Sequence, residues 1–357
     1  MKKNKYVIII IAILAILALV LVWTKSPSTF HRTNSNFAVD DTGSITKIFM
    51  SDKNNNNLKL VRGEKNQWIV NDKYTAQKNN IDLLLKTMHD LEVKEPVSKS
   101  AHNNVIRELA ASAVKVEIYQ MVYRINIFGL KLFRHEKLNK VYYVGGSTQS
   151  NRGTYMLMKN SSEPFITFLP GLRGFVSPRY TPIEKYWRDY TIFKKDPREI
   201  AAITIEYPEK EDFSFSLVNY RGSGLPRIFS FPENREIPNC DTLKVFSILN
   251  AFRNINYEAL LNDMDSHRKD SVIASPPFCI ISLKDTSARV STIKIYHKAA
   301  VAGSDEYYGR KVPYDLDRMY ALVNDGKDFV LVQYFVFDKV LRTRPFFLRE
   351  TGNPVMK

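Results

Sequence analysis

Short runs in which apolar and polar residues alternate dominate the chain beyond residue 36, and they recur twice in the same order. The run ITKIFM at 45–50 alternates like a half-buried strand, and IAAITI at 200–205 does the same about 155 residues later. Runs at 58–61, 68–70, 114–119, 125–128 and 154–158 predict further strands, answered in turn by 213–218, 228–231, 278–283, 293–296 and 319–323. After the third strand of each series the period lengthens to that of a helix. Leu84, Leu85, Met88 and Leu91 follow Asn80, and Val245, Phe246, Leu249 and Phe252 follow Asp241, so helices capped by Asn80 and Asp241 are expected over 80–91 and 241–254. Helices are also expected over 103–111 and 183–190. The pattern predicts a β-rich α+β fold in two related units, 37–168 and 194–345, built by internal duplication.

The first residues follow a different rule. Lys2, Lys3 and Lys5 precede an unbroken apolar run bracketed by Tyr6 and Trp23. As a helix this run would be roughly 27 Å long, enough for a thin bilayer with an aromatic ring at each interface. No A-x-A cleavage pattern follows it and neither cysteine lies near it, so a retained anchor is favoured over a cleaved signal peptide. The amino-terminal lysines place that end in the cytoplasm. Residues 1–25 are thus read as tail and anchor of a single-pass inner-membrane protein, 26–36 as a polar linker, the body as periplasmic and 346–357 as a tail.

Between the two series lies LPGLRGFVSPRYTPIEKYWRDYTIF, residues 169–193, in which aromatic and basic residues are separated by prolines and glycines. It reads as an ordered connector. Arg173, Arg179, Trp187 and Arg188 are the candidate partner or ligand surface, taken to lie between the copies. The motif PG-x-RGF-x-SPRY followed by E-K-x-WRD-Y-x-IF, with W-x-VND-x-Y-x-A at 68–76 and TYM at 154–156, resembles the domain-of-unknown-function 4340 family of bacterial envelope proteins. The resemblance spans roughly residues 37 to 340, and WRD is its most specific part. It implies gene company with gliding-associated ABC transporter components and supplies no catalytic residue.

Charge changes the picture of the partner. The chain carries 52 Lys and Arg against 37 Asp and Glu, and the surplus of +15 falls only to +11 without the lysines at 2, 3, 5 and 25. Residues 131–140 (KLFRHEKLNK), 173–198 and 342–349 are the basic concentrations. Such a body can rest on anionic lipid or an anionic envelope polymer, or present an ordinary solvated lysine-rich surface; its expected location argues against nucleic acid. At 44% hydrophobic and 25% charged, the composition is that of a globular protein.

Familiar catalytic spacings are absent from the sequence. His31, His89, His102, His135, His267 and His297 stand singly, with neither HExxH nor CxxC, so no metal or cofactor is expected. Gly145-Gly146-Ser147 reads as a glycine turn leading to 154–158, not as a nucleophile elbow, and Gly222-Ser223-Gly224 as a hairpin turn. Glu184 and Asp189 are carboxylates without a distinguishing context. Trp187 is expected to bury while Arg188 and Asp189 pair or cap. Cys240 and Cys279 leave a disulfide open.

These readings favour an extracytoplasmic binding or scaffolding module without a catalytic residue, accessory to an ABC-type transport or gliding-associated assembly and in contact with its membrane subunits. The alternatives are an envelope enzyme acting on glycan or peptide, with carboxylates or Ser147 in a cleft, and a basic module binding anionic lipid or surface polysaccharide.

Overall fold

In the computed structural model, described over residues 13–15, 35–127, 130–220, 224–301, 305–307 and 309–349, the chain divides into two units between Asp189 and Tyr190. Both are mixed α+β, and every strand pairing described is antiparallel. The run from Tyr6 to Trp23, the linker and the end of the tail lie outside the described residues, apart from an exposed helical triplet at 13–15, Ser35 and Asn36, and 346–349. Among the described residues no helix is long and apolar enough to cross a membrane.

The first unit contains β1 (Ile45–Ser51), β2 (Asn57–Arg62), β3 (Trp68–Val70), β4 (Tyr74–Thr75), α1 (Lys78–Asp90), β5 (Glu92–Pro96), α2 (Lys99–Ser112), β6 (Val114–Ile127), β7 (Leu130–Ser147), β8 (Thr154–Met158) and β9 (Phe165–Phe168). Their order across the sheet is β4-β3-β2-β1-β6-β7-β8-β9-β5. Alternation assigns the two faces. Tyr142, Val144, Met156 and Phe165 pack with Ile81, Leu84 and Met88 of α1, while the intervening Tyr143, Tyr155, Leu157 and Ile166 pack with Val105 and Leu109 of α2. The β1–β2 turn is held by Asp52, whose carboxylate accepts from the backbone of Asn54 at 2.8 Å and of Asn56 at 3.0 Å.

Three local expectations are corrected here. Asn80 does not cap α1: the helix starts two residues earlier, after Gln77, because the Gln77 N–H donates to the Trp187 carbonyl at 2.7 Å and Asn80 Nδ2 donates to the Tyr186 carbonyl at 2.7 Å. Gly145 and Gly146 are not a turn but the end of β7. A Cβ on Gly145 would come within 2.5 Å of Leu109 Cδ2 and 3.1 Å of the Tyr155 carbonyl, so the glycines admit α2 close to the sheet. Residues 183–190 form only a single 3-10 turn, Glu184–Tyr186. The chain then joins the sheet edge at β4, with Ala76 bridged to Arg188 and the Asp189 N–H donating to the Thr75 carbonyl at 2.9 Å.

The second unit contains β10 (Thr191–Phe193), β11 (Ile200–Glu206), β12 (Phe215–Val218), β13 (Arg227–Ser230), α3 (Thr242–Ala251), β14 (Ile255–Asn256), β15 (Ala259–Leu260), α4 (Ser266–Ala274), β16 (Cys279–Asp285), β17 (Val290–Ala299), β18 (Asp305–Tyr307), β19 (Arg310–Val312), β20 (Tyr314–Val323), β21 (Asp328–Gln333) and α5 (Tyr334–Phe337). The main sheet runs β13-β12-β11-β16-β17-β20-β21-β15, while β10 pairs β14 and β18 pairs β19. Asp241 caps α3 as expected, accepting from the backbone of Leu243 at 2.8 Å and Lys244 at 3.3 Å. Val245, Ile248, Leu249 and Phe252 enter the main core, while Val272 and Ile273 of α4, a helix the sequence reading missed, pack with Tyr296, Tyr320 and Phe329.

Leaving out β4, the main sheets have the same strand order, with register shifts at matching places, Ile45/Lys47 and Ile200/Ala202. One expected correspondence changes. Residues 293–296 lie in β17, whose neighbours match those of β7, whereas 125–127 are the far end of β6. The cause is that β6 and β7 run on well beyond the sheet. Cys240 and Cys279 are free thiols.

Candidate functional site

The second unit carries an aromatic cavity of about 590 Å³. Its rings come from five separated places: Tyr207 just after β11, Phe213 before β12, Phe278 before β16, Tyr314 on β20 and Tyr334 on α5. His297 of β17 sits among them. Its ring stacks on Tyr314 at 4.3 Å between centroids and 17° between planes, and lies 4.3 Å from Phe278 on a tilt of 40°. Tyr207 meets Phe213 and Phe278 edge-on, at 6.4 and 5.8 Å. These contacts fix the rings against one another, so the stacking surface is organised before any ligand arrives.

Burial controls the titrating groups here. It pushes the Tyr207 phenol well up, assisted by Cys279, and the hydroxyl donates to the Arg342 carbonyl at 3.1 Å. Burial, then Tyr314 and Asp315, also raise the Tyr334 phenol, which therefore keeps its proton. Desolvation by its neighbours lowers His297, against the opposing pull of Glu209. A neutral imidazole can accept from the Tyr334 hydroxyl at Nδ1, 3.2 Å away, leaving Nε2 to carry the hydrogen. Beside the cavity, burial opposes ionisation of Asp315, but Lys298 at 2.5 Å and the backbone N–H groups of Asp317 and Arg318 hold its pKa below the ordinary value.

The sign of the pH dependence follows. The folded His297 pKa lies below 6.5, so its neutral-state stabilisation is fully present above pH 6.5 and is lost as pH falls through the folded value. We expect an NMR titration of His297 with a midpoint below 6.5, moving toward 6.5 in Tyr314→Ala; a wild-type midpoint at or above 6.5 contradicts this account.

The candidate surface named from the sequence lies in the first unit and does not form one patch. Arg179 and Trp187 line a groove of about 540 Å³ with Leu83 and Tyr186, but Trp187 is only 3% exposed and its indole donates to the Thr181 carbonyl at 2.8 Å. Arg179 donates to Thr87 Oγ1 at 2.8 Å. Arg188 is 4% exposed, with its guanidinium 3.6 Å from the Tyr74 ring centroid. Trp187 is therefore part of the core, as expected, and Arg188 part of the sheet edge, stacked on Tyr74. Arg173 stands apart, in a hollow of about 410 Å³ with Lys94, Arg152, Phe168 and Leu172.

The chemical candidates occupy structural places. Ser147 Oγ donates to Asn151 Oδ1 at 2.8 Å, and Glu184 accepts from Asn71 Nδ2 at 2.7 Å. Among the described residues no group of three or more His, Cys, Asp or Glu is placed to hold a metal ion. The aromatic cavity escaped the sequence reading because its rings are far apart along the chain; their only trace was the 12% aromatic content. No family model, curated protein or solved structure matches the chain.

Proposed function

We propose that the chain is a membrane-anchored extracytoplasmic binding or scaffolding module whose second-unit cavity receives an aromatic side chain of a partner protein. The observation carrying this reading is the set of mutually fixed rings around His297, which offers stacking faces and one hydrogen-bonding edge. That is recognition chemistry. The apolar run behind Lys2, Lys3 and Lys5 supports a single-pass inner-membrane anchor with the body in the periplasm. The resemblance to the 4340 family supports an accessory role in an ABC-type transport or gliding-associated assembly. The common strand order and matching register shifts support an internal duplication.

The test is a photo-crosslinking side chain at Phe213 in the full-length protein, in its native membrane. Transporter subunits are the expected adducts. Tyr334→Ala removes a cavity ring and should weaken capture by about 2 kcal/mol, roughly thirty-fold in affinity. Adducts confined to glycan would move an envelope enzyme or surface-polymer binder ahead of this reading. The hollow holding Lys94, Arg152 and Arg173 favours the second reading, a module that binds anionic polymer.

A further inference from the structure

The hairpin of β6 and β7 leaves its sheet. Pairing with β1 ends at Gln120 and pairing with β8 begins at Tyr142, so β6 from Met121 onward pairs only with β7, and β7 from Leu130 to Val141, Lys137 and Leu138 at the arm's base included, pairs only with β6. The resulting arm is roughly 20 Å long at about 3.4 Å per residue. The fold does not require it. In the second unit the corresponding hairpin, β16–β17, closes at once, because the Asp285 carboxylate accepts from the backbone of Ser287 at 2.9 Å and Arg289 at 3.0 Å. A two-stranded ribbon without a covering layer is marginal in water, so an extension of this length calls for a surface to rest on.

Its composition says which surface. The register places Tyr123, Leu132 and Leu138 on one face with Arg134, and His135 and Lys137 on the other. Tyr123, Leu132 and Leu138 are exposed, and Phe133, at φ 58°, is 68% exposed. The arm's carboxylate, Glu136, is paired with Lys47 at 2.9 Å and accepts from Thr46 Oγ1 at 2.5 Å. Arg124, Arg134 and Lys137 have no ion-pair partner among the described residues. Exposed aromatic and aliphatic groups edged by these cations complement a bilayer interface with anionic headgroups.

We propose that the β6–β7 arm is a membrane-contact element, laying Tyr123, Leu132, Phe133 and Leu138 into the interface while Arg124, Arg134 and Lys137 meet anionic lipid headgroups. This deepens the anchored reading and rests on it only for bringing the arm to the bilayer. The full chain would be reconstituted into vesicles of phosphatidylcholine, alone or mixed with phosphatidylglycerol, in which part of the lipid carries bromine near the headgroup. Phe133→Trp then reports contact as quenching beyond that of the unsubstituted protein, whose Trp23 reports the anchor. Extra quenching of about twofold or more is expected in the mixed vesicles, falling as salt is raised and lost when Arg124, Arg134 and Lys137 are all changed to Glu.

Absent extra quenching, or quenching indifferent to lipid charge and salt, overturns the proposal. So does a Phe133-specific crosslink to a second copy in place of quenching, which would make the arm a dimer contact. Carbonate extraction reads the anchor separately. Protein that is extracted yet shows charge-dependent quenching refutes the anchor and upholds the arm; protein that resists extraction without quenching does the reverse.

Discussion

Trp187→Ala is expected to lower the stability of the first unit by about 3–5 kcal/mol, the usual cost of removing a large buried aromatic side chain. The change does more than open a cavity. The indole packs in the core that contains α1 and the sheet, and its N–H donates to the Thr181 carbonyl. Losing it leaves that half-buried carbonyl without this partner and frees the segment whose backbone receives the N–H of Gln77 and extends the sheet at β4. For a unit of this size the melting temperature should fall by about 10 °C or more. Calorimetry with hydrogen exchange on α1 provides the measurement. Exchange there should accelerate, while α3 of the second unit keeps its protection. A fall below about 1 kcal/mol would mean that Trp187 is dispensable to the core, returning it to the pool of ligand-contacting residues.

Phe252→Ala should do to the second unit what Trp187→Ala does to the first, again by about 3–5 kcal/mol. Phe252 is fully buried at the end of α3, meets Phe193 edge-on at 5.2 Å between centroids, and its carbonyl receives the Lys195 N–H at 3.0 Å. It therefore holds the beginning of the unit, β10, against α3. Protection should be lost in α3 and β10 and retained in α1. Equal loss in α1 and α3 from either substitution would show that the two units unfold as one cooperative block, against separate hydrophobic cores.

Much of the fold was legible because burial imposes a local period. The strands at 45–50 and 200–205, the Asp241 cap and the helical spacing of Val245, Leu249 and Phe252 could be read directly, since each needs only residues close in sequence. Errors arose where a distant partner overrode the local signal. Asn80 has the chemistry of a cap, yet Tyr186, 106 residues away, takes its side chain. The segment 183–190 has helical spacing, yet beyond one 3-10 turn the backbones of Trp187 and Asp189 bond to Gln77 and Thr75.

The sequence by itself determined the strand and helix pattern, its recurrence in two halves, the basic surplus, and an apolar amino-terminal run long enough to read as an anchor. These follow from local periodicity and composition. The tertiary structure alone decided that Arg188 is buried while Arg173 is exposed, that β6 and β7 outrun their sheet, and that rings from positions 207, 213, 278, 314 and 334 meet around His297. Each depends on which residues long-range pairing brings together, and alternation along a strand records which face a side chain takes but not what it will face.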